Sequence, residues 1–158
     1  MREFRITKYD PAKRDERGAY LENDWVCYGE IGQSFLGEVL TKERYELVEN
    51  AYINAALTLL ENAGIKSLKA LGIENYRHFP ISITDGEDVP ITKLPALLRD
   101  ILRNHYWCKF ENQPKTAFVN ISFDYYMYVG VPFVETRVIE EIRKSGLFVE
   151  DFPFSHYE

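Results

Sequence analysis

At 158 residues, with 46% apolar and 15% aromatic side chains, the chain has ample material for one core, which excludes wholesale disorder. Its formal net charge of −6 disfavours phosphate backbones as partners. No apolar run approaches the roughly 18–20 residues that a bilayer span requires. A single domain over 1–158 is expected, with neither nucleic acid nor membrane as partner.

The start, MREFRITKYD, alternates charge with hydrophobe and lacks the continuous apolar stretch of a signal peptide. Cys27 and Cys108 lie far apart and outside any C-x-x-C setting, which fits a reduced, cytoplasmic chain. The charge is uneven: residues 1–22 net +1, residues 23–91 net −6 and residues 92–158 net −1. The acidic middle includes the cluster Asp85, Glu87 and Asp88, and it suits a basic protein whose approach would be electrostatically steered.

In chain order, REFRIT reads as a half-buried strand, with Phe4 and Ile6 on one side. DPAKRDERGAYLEND breaks all periodicity and reads as a long surface loop. DWVCYGEIGQSF has β-like composition, with Trp25, Val26 and Tyr28 packed and Gly29 and Gly32 as bends. A helix is predicted from Thr41, as N-cap, to about Ala63. Val48, Tyr52, Ala55, Ala56, Leu59 and Leu60 lie at helical spacing, and Gly64 is the stop.

IKSLKALGIENY reads as a strand, and RHFPISITDGEDVP as a loop with a turn at Asp85–Gly86. A second helix is predicted over Lys93–His105, with Leu94, Leu97, Leu98, Ile101 and Leu102 as its apolar stripe and Pro95 in its first turn. YWCKFE and TAFVNISFDYYMYVG should pair as a hairpin across NQPK. VETRVIEEIRKSG gives a third helix ending at Gly146, and LFVEDFPFSHYE a final aromatic piece that docks. The fold class is therefore α+β: a largely antiparallel sheet including a C-terminal hairpin, with about three helices packed on it.

The long strand after Ala117 carries the clearest surface prediction. With a period of two, Val119, Ile121, Phe123, Tyr125, Met127 and Val129 face inward. Phe118, Asn120, Ser122, Asp124, Tyr126 and Tyr128 face outward. Tyrosine serves interfaces well because it buries a large ring and still presents a hydroxyl. Cross-strand aromatic pairing within the sheet is the plainer use of the same residues.

No phosphate-binding glycine loop or nucleophile-elbow motif is present. His78, His105 and His156 are isolated, with no zinc-ligand spacing. Cys108 sits three residues after His105, yet reads as a buried apolar cysteine rather than a nucleophile. No spacing selects a pair of carboxylates. The expectation is a protein without catalytic residues, metal or cofactor.

FRITKYDP, then RDERGAY, DW and IG, a long helix beginning near ERYELVENAY, and YWCKFE with DYYMYVG follow one another in a distinctive order. Together they resemble immunity proteins of bacterial toxin–immunity systems, including contact-dependent growth inhibition, over nearly the whole chain. The segment DWVCYGEIG departs from that pattern: it keeps the Trp and the Ile-Gly but has Val26, Cys27 and Tyr28 in place of small hydroxyl residues, which implies a different partner if those hydroxyls serve the contact.

The resemblance implies a cytoplasmic, non-enzymatic toxin inhibitor that binds one cognate toxin domain, a nuclease with a basic cleft being the favoured class. Candidate contacts are Asp124, Tyr126 and Tyr128, with Glu111 across the hairpin, or the loop bearing Asp85, Glu87 and Asp88. The alternatives are a small-molecule-binding module or unrecognised enzyme with a Tyr-rich pocket, and a self-associating adaptor.

Overall fold

The alternation in REFRIT forms the strand β1 (Arg2–Thr7), which buries Phe4 and Ile6. A computed structural model describes residues 1–156. After β1 the chain makes a 3-10 turn at Pro11–Lys13, capped by the Asp10 carboxylate, and a second at Tyr28–Glu30. A small hairpin follows, β2 (Ser34–Phe35) and β3 (Glu38–Val39). Then come α1 (Lys42–Asn62), β4 (Ser67–Glu74), β5 (Asp88–Pro90) and α2 (Leu94–Leu102). The chain continues through β6 (Trp107–Glu111), β7 (Phe118–Ile121), β8 (Met127–Val131), α3 (Thr136–Lys144) and β9 (Phe148–Asp151).

Seven strands form one sheet in the order β5-β4-β6-β7-β8-β1-β9, every neighbouring pair antiparallel. The fold is α+β, as its composition pattern requires. Phe4, Ile6, Leu68, Ala70, Cys108, Phe110, Val119, Ile121, Met127 and Val129 point to one face, where they share a core with the apolar stripes of the helices. Helix α1 lies centrally, against β8, α2 and α3. Thr41 caps it by accepting from the Arg44 N–H at 3.1 Å, and Gly64 leaves it with a φ of 72°.

Glu49 is the one carboxylate on α1 that faces inward, and its side chain is 1% exposed. Arg103 donates to both of its oxygens at 2.9 Å, and Arg99 adds a bond at 3.0 Å, which fastens α1 to α2. Burial would raise the Glu49 carboxyl, but hydrogen bonds from Arg103, Tyr45 and Arg99 outweigh it and hold the group below its usual range.

Three segments differ from the sequence expectation. RHFPISITDGEDVP is not all loop, because its end forms β5, where buried Val89 pairs with Leu68 on the sheet edge. DWVCYGEIGQSF is mostly irregular rather than strand, because its aromatic rings pack as a cluster instead of serving a ladder. Trp25 and Tyr28 lie 5.4 and 5.0 Å from the Tyr45 ring, while Val26 is exposed. The expected long strand is two strands, β7 and β8, folded back at residues 122–126. Ile121 pairs with Met127 and Asn120 with Tyr128. The turn consumes an odd number of residues, so the inward set survives the reversal. Phe123 alone leaves it, to sit at the turn tip, 69% exposed.

The other face of the sheet is partly roofed by the C-terminal segment. Phe152 donates its N–H to the Glu3 carbonyl, and Phe154 stacks on Tyr128 at 4.3 Å and tilts on Phe118 at 5.7 Å. The Phe118 ring lies directly over Gly130, where a Cβ would overlap it. In the β2–β3 hairpin, Leu36 and Gly37 both have positive φ, 52° and 82°, the combination of a type I′ turn. A leucine in that region costs about 1–2 kcal/mol.

Two outcomes are expected in urea denaturation. Gly130→Ala should destabilise by about 1–3 kcal/mol through displacement of Phe118, and the added Phe118→Ala should make the loss smaller than the sum of the single changes. Glu49→Gln should cost about 3 kcal/mol at neutral pH, the low end for a broken buried pair because both arginines reach solvent. Since the folded carboxyl titrates below its unfolded value, that contribution is present above roughly pH 4.3 and lost as pH falls through the folded value. The gap between Glu49→Gln and the wild type should therefore close in acid; a gap independent of pH would contradict the ionised pair.

Candidate functional site

Residues 122–126 form a ridge whose exposed tip stands on a buried root. Tyr125 is the root: its backbone is left-handed, with a φ of 68°, and its ring is 2% exposed. Three other tyrosines hold this conformation. Tyr52 on α1 accepts the Lys8 N–H and donates to the Tyr125 carbonyl, each at 2.8 Å. Tyr9 donates to the Asp124 carbonyl at 2.7 Å. The Tyr125 hydroxyl donates to that of Tyr45 at 3.0 Å, and Tyr45 bonds onward to Glu49. Burial raises all four phenols well above the ordinary tyrosine range, so they stay protonated donors.

Above this root the ridge separates two depressions. On one side, a crevice of about 210 Å³ lies between Phe123, Tyr76, Glu74 and Trp107. Trp107 is fixed there by donating its indole N–H to the Ile121 carbonyl at 2.7 Å. On the other side, a groove of about 610 Å³ is lined by Asp124, Tyr126 and Tyr128 together with Tyr9, Tyr20, Glu22, Asp24 and Val26 of the N-terminal loop. Tyr126 stacks on Tyr9 at 5.0 Å and lies beneath the guanidiniums of Arg5 and Arg14.

Most charges around the groove are already paired. Lys8, its side chain 7% exposed, contacts Asp24 at 2.7 Å. Burial lowers the Lys8 ammonium below the usual lysine range, although Asp24 pulls it the other way. Arg5 and Arg14 both bond Glu150; burial would raise that carboxyl, but the two guanidiniums hold it low. Lys13 pairs with Glu22 at 2.8 Å. Asp124 is exposed and takes the Ser122 hydroxyl, with no cationic partner among the described residues.

The structure thus brings Asp124, Tyr126 and Tyr128 into one groove, as their alternation suggests. Tyr128 is less free than expected, being stacked under Phe154. Glu111 does not join them: it is 8% exposed, opposite Phe118 and Lys69 in the sheet, and so lies outside the open surface. The acidic loop lies at the distant β4–β5 edge. Asp85 accepts the Gly72 and Ile73 N–H groups at 2.7 and 3.4 Å, so it stabilises the β4 bulge. Glu87 contacts Lys93 at 3.7 Å, and Asp88 contacts Lys69 at 3.2 Å.

Sequence reasoning missed Phe123 as an outward tip and the wall contributed by Tyr20, Glu22 and Asp24. Only the aromatic and acidic residues inside an aperiodic loop hinted at the latter. Burial pushes the Cys108 thiol up to about 12 and raises Cys27 as well, which works against a thiolate in either place. No group of His, Cys, Asp and Glu able to hold a metal occurs among the described residues, and none of their helices is long and apolar enough to cross a membrane. No family model, curated protein or solved structure matches the chain.

The ridge chemistry sets one expectation. Tyr52→Phe strands the buried Lys8 N–H and Tyr125 carbonyl together, so stability should fall by about 1–3 kcal/mol. Amide exchange at residues 122–126 should accelerate more than in the β1–β9 ladder. Unchanged protection of the ridge would mean that Tyr52 does not hold it.

Proposed function

We propose that the chain is an immunity protein, which binds and neutralises a cognate bacterial toxin domain in the cytoplasm by protein–protein inhibition, a nuclease being the favoured class of toxin. The observation that carries this reading is the ridge: an exposed aromatic, Phe123, and an unpaired carboxylate, Asp124, are presented side by side on a backbone locked from beneath. Such a tip loses little conformational freedom on docking, which is where much association energy is otherwise spent. Aromatic anchors surrounded by contacts that exclude water dominate protein interfaces.

Asp124 and the overall charge of −6 suit a basic surface, such as a nuclease substrate cleft. The order of sequence segments that resembles toxin-immunity proteins supports the same partner class. The groove has the volume of a small-molecule site, but its ionic walls are largely paired among themselves. That favours a broad contact across the ridge over capture of a small polar ligand.

The test is co-expression with candidate toxin domains, taken first from any encoded beside it, reading growth rescue and complex formation. A one-to-one complex with rescue is expected. Asp124→Lys and Phe123→Ala should each weaken it by about 2 kcal/mol or more, roughly 30-fold, without loss of fold. Neither binding nor rescue from a folded protein would overturn the reading, and a saturable rise in melting temperature with a small metabolite would replace it with a ligand-binding one.

A further inference from the structure

Of the non-glycine residues with positive φ, Leu36, Lys115 and Tyr125 sit in the turns of strand hairpins; Leu36 and Tyr125 carry the bulky aliphatic and aromatic side chains, and they differ in what offsets the strain. At Tyr125 the ring is buried and the backbone is tied by tyrosine hydroxyls. At Leu36 nothing comparable occurs: the side chain is 61% exposed at the end of the β2–β3 hairpin. Asparagine or glycine would take the first position of a type I′ turn with less strain. The hairpin is nevertheless held firmly. Gly32 donates to the Leu40 carbonyl and Leu40 to the Gln33 carbonyl, each at 2.8 Å. Arg44 of α1 bonds the Val39 carbonyl at 2.8 Å and the Glu38 carboxylate at 2.9 Å, and Leu40 is buried.

Strain without an internal return, at an exposed position, points outward. We propose that Leu36 is an anchor for the same protein partner that meets the ridge, entering an apolar pocket on that partner. This inference rests on the docking function proposed above. Two observations connect the tips. Asp24 lines both the groove beside Asp124 and the crevice behind Leu36, so one surface runs between them. Val26, 39% exposed, also lines the groove and supplies an apolar side chain there. The partner's complementary surface is therefore basic opposite Asp124 and apolar opposite Val26 and Leu36. Val39 and Leu47 are exposed as well, at 51% and 72%.

The experiment compares Leu36→Asn with wild type and with Asp124→Lys, using as the probe a candidate toxin domain, taken first from any encoded beside the chain. Relief of the left-handed leucine should raise the melting temperature of the isolated chain by about 2–4 °C, while affinity for the probe falls at least tenfold. A variant that is stabler yet binds worse cannot be explained by loss of fold. Unchanged affinity, or a lowered melting temperature, overturns the assignment of Leu36. If Asp124→Lys loses binding while Leu36→Asn keeps it, the docking function stands and only the anchor fails. If wild type does not bind the probe, the docking function fails and the anchor with it.

Discussion

The Tyr52 hydroxyl is the point on which the arrangement turns. It accepts the N–H of Lys8 at the end of β1 and donates to the carbonyl of Tyr125 in the β7–β8 turn, while its ring belongs to α1. One oxygen therefore ties the central helix to the end of β1 and to the β7–β8 turn. A phenol suits this place because it donates and accepts at once, and the rest of the ring fills core volume. The chain of bonds continues from Tyr125 through Tyr45 to Glu49 and the arginines of α2. Low local polarity strengthens each member and makes a missing one expensive, so the network is specified as a whole.

That network converts an exposed turn into a stiff feature. A bulky residue in the left-handed region ordinarily marks strain, and it persists only where surrounding structure over-determines it. Here Tyr9, Tyr45 and Tyr52 do so from below, leaving the Phe123 ring exposed and the Asp124 carboxylate bonded only to Ser122 among the described residues. The N-terminal loop achieves a similar rigidity by ion pairs, with Lys8 on Asp24 and both Arg5 and Arg14 on Glu150. Side chains that could have competed for a partner are instead spent on the frame. The surface that remains is small, preorganised and chemically distinct from its surroundings.

Much of the fold was legible because its signals are local and periodic. Thr41, Gly64, Pro95 and Gly146 mark helix ends, and the leucine stripe of α2 is buried at every expected position. The outward placement of Asp124, Tyr126 and Tyr128 was also legible, although the segment is a hairpin rather than one strand; an odd-length turn preserves alternation. What was not legible depends on contacts between remote segments. Aromatic residues at 25–28 look like strand composition until Tyr45 is placed beside them. Glu111 alternates outward like its neighbours, and only tertiary packing buries it. Asp85 reads as part of an acidic patch, but the bulge at Gly72 needs its oxygen.

Positions 36 and 125, both left-handed, show why rigidity and exposure have to be considered together. At residue 125 the unfavourable backbone is offset inside the molecule, so its conformation needs no partner. At residue 36 the hairpin is equally well rooted, yet the leucine side chain is 61% exposed at the rim of the crevice it shares with Trp25 and Phe35. A sequence optimised for stability alone would place asparagine there and would place a polar residue at 123. Both positions instead carry large apolar side chains on stiff, protruding backbone, joined by the surface that passes Asp24 and Val26. Stability alone would select neither residue, whereas the docking function proposed above would select both.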